Sequence, residues 1–307
     1  MAHIHNAHEH SHARPASDYQ RAFAIGIVLN LAYVCAEAGY GLASGSLALL
    51  ADAGHNLGDV LGLALSWGAA MLGRRGPSDR FTYGYGSSSI LAALANAVIL
   101  LVATGGIAWE ALWRLSHPVA VTGGLVAVVA AIGILVNGAT ALLFMRGRER
   151  DLNLRSAFLH MTADALIAFG VVAAGLAIML TGWPWLDPAV GLVISAAIVY
   201  GTWDLMKQAL RLALNAVPQG VDATAVRAHL LGLDGVTALH DLHIWGMSTT
   251  ETALTCHLVM PGGHPGDEAL ARIARDLEHR FGIRHATLQI ELGDSDEVCA
   301  LTPEHVV

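Results

Sequence analysis

Histidine and aspartate recur at a spacing of four inside apolar sequence: His55 with Asp59 in ADAGHNLGDVLGLAL, and His160 with Asp164 in FLHMTADALIAFGVV. On a helix, residues i and i+4 stack one turn apart on one face, so each pair presents an imidazole beside a carboxylate. Two such pairs from two helices make a four-ligand N2O2 set. Ionisable groups in hydrocarbon cost roughly 2.5–3.5 kcal/mol each even on lenient insertion scales, so clusters of them tend to mark ion paths. The plainer reading, interhelical hydrogen bonding, leaves that cost without a return. Neutral imidazole and carboxylate suit Zn²⁺ or Co²⁺ better than Ca²⁺, Mg²⁺ or Cu(I). A histidine must be deprotonated to ligate, so protons compete with metal for His55 and His160 near neutral pH.

The elements that position these residues are membrane helices. With 54% hydrophobic and 14% charged residues, the 307-residue chain is too apolar and too charge-poor for a soluble domain of its size. Six apolar runs of about 20 residues can be drawn: Ala22 to Leu42, Ser46 to Leu72, Ser88 to Trp109, Val121 to Phe144, Ser156 to Leu180 and Asp187 to Met206. Basic residues follow the second (Arg74, Arg75, Arg80), fourth (Arg146, Arg148, Arg150) and sixth (Lys207, Arg211), and the turns after the first and fifth have none. This asymmetry predicts both termini in the cytoplasm; Arg114 is the one charge against it. The first 20 residues lack the layout of a cleaved signal, so the first span is expected to be retained. Asp52, one turn before His55, reads as outer shell or helix cap, and Glu37 and Asn30 in the first span as helix contacts or a proton relay. Asp187, before Pro188, reads as a helix cap.

From Pro218 the pattern changes to helix, strand, strand, amphipathic helix closed by Gly282, strand. That is a small cytosolic α+β domain of α-β-β-α-β, ferredoxin-like layout. At about 75 residues it is marginal alone, and a partner copy would stabilise it. His240 and His257 fall on neighbouring strands, and His285 and Glu291 share a face of the last strand because their separation is even. His243, His264, Asp267 and His229 read as surface or outer-shell groups. The expected boundaries are 1–20 for a His-rich cytosolic tail, 21–212 for the membrane domain, 213–293 for the cytosolic domain and 294–307 for a carboxy-terminal tail. In the first segment His3, His5, His8, His10 and His12 make a flexible tract suited to weak Zn²⁺ capture. Cys35, Cys256 and Cys299 have no repeated spacing, which argues against a disulfide framework.

Two HxxxD motifs in the second and fifth spans, the phrases SGSLALLADAGH, RFTYGYG and WLDPAVGL, and the stretches HDLHIW and HATLQIE together resemble the cation diffusion facilitator family, the zinc-transporter-type metal/proton antiporters. The likeness covers nearly all of the chain after residue 20 and is greatest to bacterial zinc exporters with two His-Asp pairs. It implies Zn²⁺ efflux across a bacterial cytoplasmic (inner) membrane by alternating access and proton antiport. His55, Asp59, His160 and Asp164 would be the transport site, and a second zinc site would lie at His240, His257, His285 and Glu291 in a domain that pairs with its twin. The implied partners are divalent metal ions, protons, the lipid bilayer and a second copy, with no nucleic acid. The Arg clusters need only topology and headgroup contact to explain them.

Other classes fit less. HExxH is absent, which removes the common zinc-protease pattern, and two intramembrane histidines are too few for a membrane di-iron oxygenase, so no enzyme is expected. No GxxxxGK[ST] loop is present, which points to an ion gradient as the energy source. A metal sensor or passive channel on the same scaffold, or Co²⁺, Cd²⁺ or Ni²⁺ as main substrate, stays open at this point.

Overall fold

The computed structural model describes residues 16–145, 152–293, 299 and 301. Six long helices come first: α1 (Ala16–Ser44), α2 (Leu47–Gly73), α3 (Ser88–Ser116), α4 (Gly123–Met145), α5 (Leu152–Thr181) and α6 (Leu186–Ala213). Each coincides with one of the six apolar runs. Among the described residues four of them, α3 to α6, hold stretches long and apolar enough to cross a membrane. α1 and α2 match them in length, and their interiors carry Glu37, Asp52, His55 and Asp59. Then follow α7 (Ala223–Leu231), β1 (Ala238–Gly246), β2 (Thr252–Val259), α8 (Asp267–Phe281) and β3 (Ile283–Glu291). The protein is a helical membrane protein with a small α+β domain after its last long helix.

The chain divides into two compact units, Met1–Leu57 with Ala103–Ala197, and Gly58–Val102 with Ile198–Val307. In the first, α4 and α5 form an antiparallel pair whose backbones touch where side chains are missing. A Cβ on Gly123 would meet the Gly175 carbonyl at 2.5 Å, and one on Gly175 the Ala127 nitrogen at 2.7 Å. At the other end of the pair Phe158 and Met161 pack on Ala141. Gly133 of α4 leaves room for the Tyr33 ring of α1: a Cβ there would lie 2.6 Å from Tyr33 Cζ. Asp187 does cap a helix, though not its own. Its carboxylate accepts from Ser46 Oγ, from the Leu47 nitrogen at 2.7 Å and from the Ala48 nitrogen at 3.4 Å, so α6 caps the start of α2. Orphan N–H groups and the helix dipole make that terminus a natural seat for a buried carboxylate.

In the second unit the far half of α2 packs on α3 through small residues. A Cβ on Gly58 would meet Leu100 at 2.7 Å, and one on Gly62 would meet Asn96 at 2.8 Å. The α2–α3 connection is tied to the turn between β1 and β2, with Ser87 Oγ donating to the Met247 carbonyl (3.3 Å) and the Thr249 nitrogen donating to Ser89 Oγ (3.1 Å). The sheet has order β1-β2-β3, antiparallel between β1 and β2 and parallel between β2 and β3. Its core is built by Val226 and Leu230 of α7, Ile273 and Leu277 of α8, and Leu254, Leu258 and Ile283 of the strands, all buried. Asp222 caps α7, accepting from the Thr224 and Ala225 nitrogens, and Gly282 ends α8 in the left-handed region at φ 70° as its sequence position predicts.

Candidate metal centres

In the membrane centre His55 stands on α2, and His160 and Asp164 one turn apart on α5. Asp164 is fully buried and reaches both rings, with His55 Nε2 at 3.4 Å from Oδ1 and His160 Nε2 at 3.7 Å from Oδ2. The two imidazoles meet edge to face, centroids 6.0 Å apart. One carboxylate with an imidazole on each oxygen is a donor set already gathered around a point, whereas packing alone would not aim three polar ends together. Asp59 is one turn beyond His55 on α2, in the part of the helix belonging to the second unit.

Beside this centre lies a buried polar group that hydropathy alone does not organise. Glu37 of α1 is fully buried; one carboxylate oxygen accepts from the Tyr33 hydroxyl at 2.7 Å and the other from Asn56 Nδ2 at 3.4 Å. Asp52, also buried, has neither carboxylate oxygen in a hydrogen bond. Asn30 Nδ2 instead points to the Met161 sulfur, 3.7 Å away.

The cytosolic centre is assembled across the strands. His240 and His257 are direct cross-strand partners on β1 and β2, and Glu291, paired beside Val259 at the end of β3, brings its carboxylate under both rings. His257 Nδ1 lies 2.8 Å and His240 Nε2 3.4 Å from its oxygens. Burial pushes the Glu291 carboxyl up, but the hydrogen bond from His257 and the His240 charge outweigh it and hold the group below its usual range. His240 Nε2 is buried, and its 3.4 Å approach to Glu291 falls short of hydrogen-bond geometry. His285 is elsewhere. It pairs beside Ala253 at the opposite end of β3 and rests its ring on Tyr83, centroids 5.6 Å apart. An even separation fixes a face and not a place: six residues of strand span about 20 Å.

Two residues that the sequence did not single out as ligands join the cluster. Cys299 Sγ is 3.7 Å from His257 Nδ1, and the donor atoms of His240, His257, Glu291 and Cys299 all lie within 4.8 Å of one another. Asp241 sits 3.5 Å from His257 Nε2 and 2.8 Å from His243 Nε2. In a regular strand Asp241 and His240 would face opposite ways. A register shift between His240 and His243, with Asp241 at φ 51°, turns its side chain back to the histidine face. The signals were an unpaired cysteine and an HDLH stretch, neither with a periodicity to announce it. His3, His5, His8, His10 and His12 lie outside the described residues.

Residues 23–212 match the model of the cation efflux transmembrane domain, and residues 218–292 that of the cation efflux protein cytoplasmic domain. The chain belongs to the cation efflux family. Relatives extend over almost the whole length. The metal cation efflux system protein CzcD of Cupriavidus metallidurans is 34% identical over 292 residues, covering 95% of this chain and 92% of that protein. The zinc transporter ZitB of Escherichia coli is 34% identical over 290 residues, 93% and 92% of the two chains. The cadmium, cobalt and zinc/H(+)-K(+) antiporter of Bacillus subtilis is 32% identical over 289 residues, 92% and 91%. A cation efflux protein moves divalent metal ions across a membrane, and this multi-pass chain is one.

Proposed function

We propose that the protein exports Zn²⁺ from the cytoplasm in exchange for protons, carrying the ion on His55, Asp59, His160 and Asp164. The observation that carries the reading is the buried Asp164 carboxylate with one imidazole on each oxygen. Asp59 completes the set on the i,i+4 argument, one turn from His55. Two carboxylates neutralise a divalent cation, and two nitrogens give borderline donors that favour Zn²⁺ over Ca²⁺ and Mg²⁺. When the site opens to the cytoplasm, neutral imidazoles take the ion; when it opens outward to a more acidic face, protons compete for the same nitrogens and release it. Each turn of that cycle exchanges metal for protons without a phosphate-binding loop. The membrane is the bacterial cytoplasmic one with both termini inside, on the distribution of arginines. The cytosolic domain pairs with that of a second copy, since its small core gains from a partner, and its centre at His240, His257 and Glu291 senses cytoplasmic zinc. The amino-terminal histidines gather zinc weakly for the carrier.

The test is transport in reconstituted vesicles. With the pH gradient imposed acidic inside, zinc should accumulate against its own gradient, collapse when a protonophore is added, and slow when the metal-loading face is acidified below the imidazole range of about 6.5. Zinc that only equilibrates, indifferent to the pH gradient, would make the protein a passive conductor and overturn the exchange.

A further inference from the structure

Two amides beside the membrane centre bury polar atoms that have no hydrogen-bond partner among the described residues. Asn137 of α4 is 1% exposed, and neither its Oδ1 nor its Nδ2 is bonded. The Oδ1 of Asn30 on α1 is likewise buried and unpaired, its Nδ2 being given to the Met161 sulfur. An amide inside a helix bundle ordinarily offsets its burial by bonding to a neighbouring helix. These two do not, although they stand at the same level.

Three contacts fix that level. α1 sets the Tyr33 ring over Gly133, Asn30 reaches Met161 of α5, and Met161 packs on Ala141. Gly133, Asn137 and Ala141 are four apart in turn, so they share one face of α4 with Asn137 in the middle. Asn30 is one turn from Tyr33, on the side of Met161. The two amides therefore come level where α1, α4 and α5 meet, between small residues of α4. Thr140 does not answer their need, because its hydroxyl is spent on the Val136 carbonyl of its own helix at 2.8 Å.

We propose that Asn30 and Asn137 bind water beside Met161, and that this water is a polar step on the path of the metal ion to and from Asp164. This rests on the reading of His160 and Asp164 as part of the transport site and goes beyond it in naming what the ion passes.

Water fits the vacant bonds in number and kind. Two amide oxygens accept its hydrogens and one amide nitrogen donates to it, and buried waters typically make about three such bonds. Two neutral amides offer no charge to hold a bare divalent ion, so water and not metal is the ligand.

The place suits the task. Met161 and Asp164 are three apart on α5, neighbours on one face about 4.5 Å apart along the axis. A divalent ion sheds its hydration shell to enter a site of imidazoles and carboxylates and regains it to leave. Water held one turn from the carboxylate lowers the barrier in both directions and leaves the bound state as it was. Asn30 also begins a row with Tyr33 and Glu37 on α1, at i, i+3 and i+7, and Glu37 ends that row at Asn56, next to His55. The water site thus extends a polar seam that touches both helices of the metal centre.

The experiment uses the full chain in lipid nanodiscs, exposed to X-ray pulses that turn bound water into hydroxyl radicals in place. Met161 is compared with Met260, the two being 9% and 5% exposed, with Met260 in the apolar core of the cytosolic domain. Met161 should convert to its sulfoxide at least fivefold faster. Asn137→Leu fills the same place without a polar atom. It should bring Met161 down to the Met260 rate and cut zinc transport in reconstituted vesicles about tenfold at saturating zinc. Its zinc affinity, read by dye competition, should stay within twofold of the parent. Asn137→Ser, which keeps a hydroxyl for water, should recover most of the transport rate. Equal oxidation of Met161 and Met260 in the parent would overturn the water site, and that comparison needs no variant to fold. Transport at the parent rate in Asn137→Leu, or zinc affinity lost along with transport, would overturn the part this water plays on the ion path. If Asp164→Asn binds and transports zinc as the parent does, the transport site falls and the ion-path role with it, while Met161 oxidation still decides whether the water is there.

Discussion

Replacing Asp164 by Asn tests the membrane centre with the least disturbance of shape. The amide fills the same buried space but presents no negative charge, and its NH₂ must face one of the two imidazoles that now flank the oxygens at 3.4 and 3.7 Å. Removing one partner from a buried charged set costs about 3–5 kcal/mol. At 1.36 kcal/mol per power of ten, that spans roughly two to four powers of ten in zinc affinity. The His160 side chain is 40% exposed, so the set is not fully enclosed and the lower end applies. Zinc affinity of Asp164→Asn should therefore fall by about a hundredfold, read by competition against a chelating dye on purified protein. Chromatography and circular dichroism should show the parent fold. A variant that binds zinc within threefold of the parent and transports it would refute a role for this carboxylate in holding the ion.

Changing both His55 and His160 to Asp removes the nitrogen donors, and metal preference in a competitive transport assay should shift from Zn²⁺ toward Mn²⁺ or Cd²⁺; an unchanged profile would place selectivity elsewhere. With both His240 and His257 changed to Ala, transport at saturating zinc should persist while the half-saturation concentration rises, and the carboxy-terminal domain from Pro218 should lose its zinc-dependent rise in Tm. Equal zinc-induced shifts in parent and variant would make these surface histidines. Because the folded Glu291 carboxyl titrates below its usual value of 4.5, the metal-free domain should hold this contribution to stability above that pH and lose it as pH falls through the lower folded value. Glu291→Gln should flatten that acid limb of the Tm profile; an identical limb in both proteins would contradict the pairing with His257.

Regular periodicity is what a sequence states most clearly. The six long helices follow from apolar runs, and the placing of His160 and Asp164 one turn apart on α5 follows from helix geometry, because an i,i+4 spacing fixes both face and height. A strand spacing fixes only the face, which is why His285 reads as a companion of Glu291 yet lies beside Tyr83. Asp187 shows a second limit: it reads as a cap for the helix it begins, and the structure spends it on the helix 140 residues earlier, where the free N–H groups of Leu47 and Ala48 are. The contribution of Cys299 and the turned Asp241 depend on a register shift and on chain beyond the last strand, neither of which any period records. Glu37 needed a tertiary partner to be interpretable, and Asn56 of α2 supplies it beside Tyr33, one turn away on the same helix.

The shared start of α2 and α6 bears on how a metal transporter can move. Ser46, Leu47 and Ala48 all donate to one buried carboxylate on α6, and a Cβ on Gly191, one turn further along α6, would stand only 3.2 Å from the Leu47 carbonyl carbon. Sliding the two helices past each other here would strip a buried anion of three donors at once. Rotation about this junction would keep them. The carboxylate therefore pins the start of α2 to the start of α6, and any movement of a metal transporter built on these helices has to leave that junction whole.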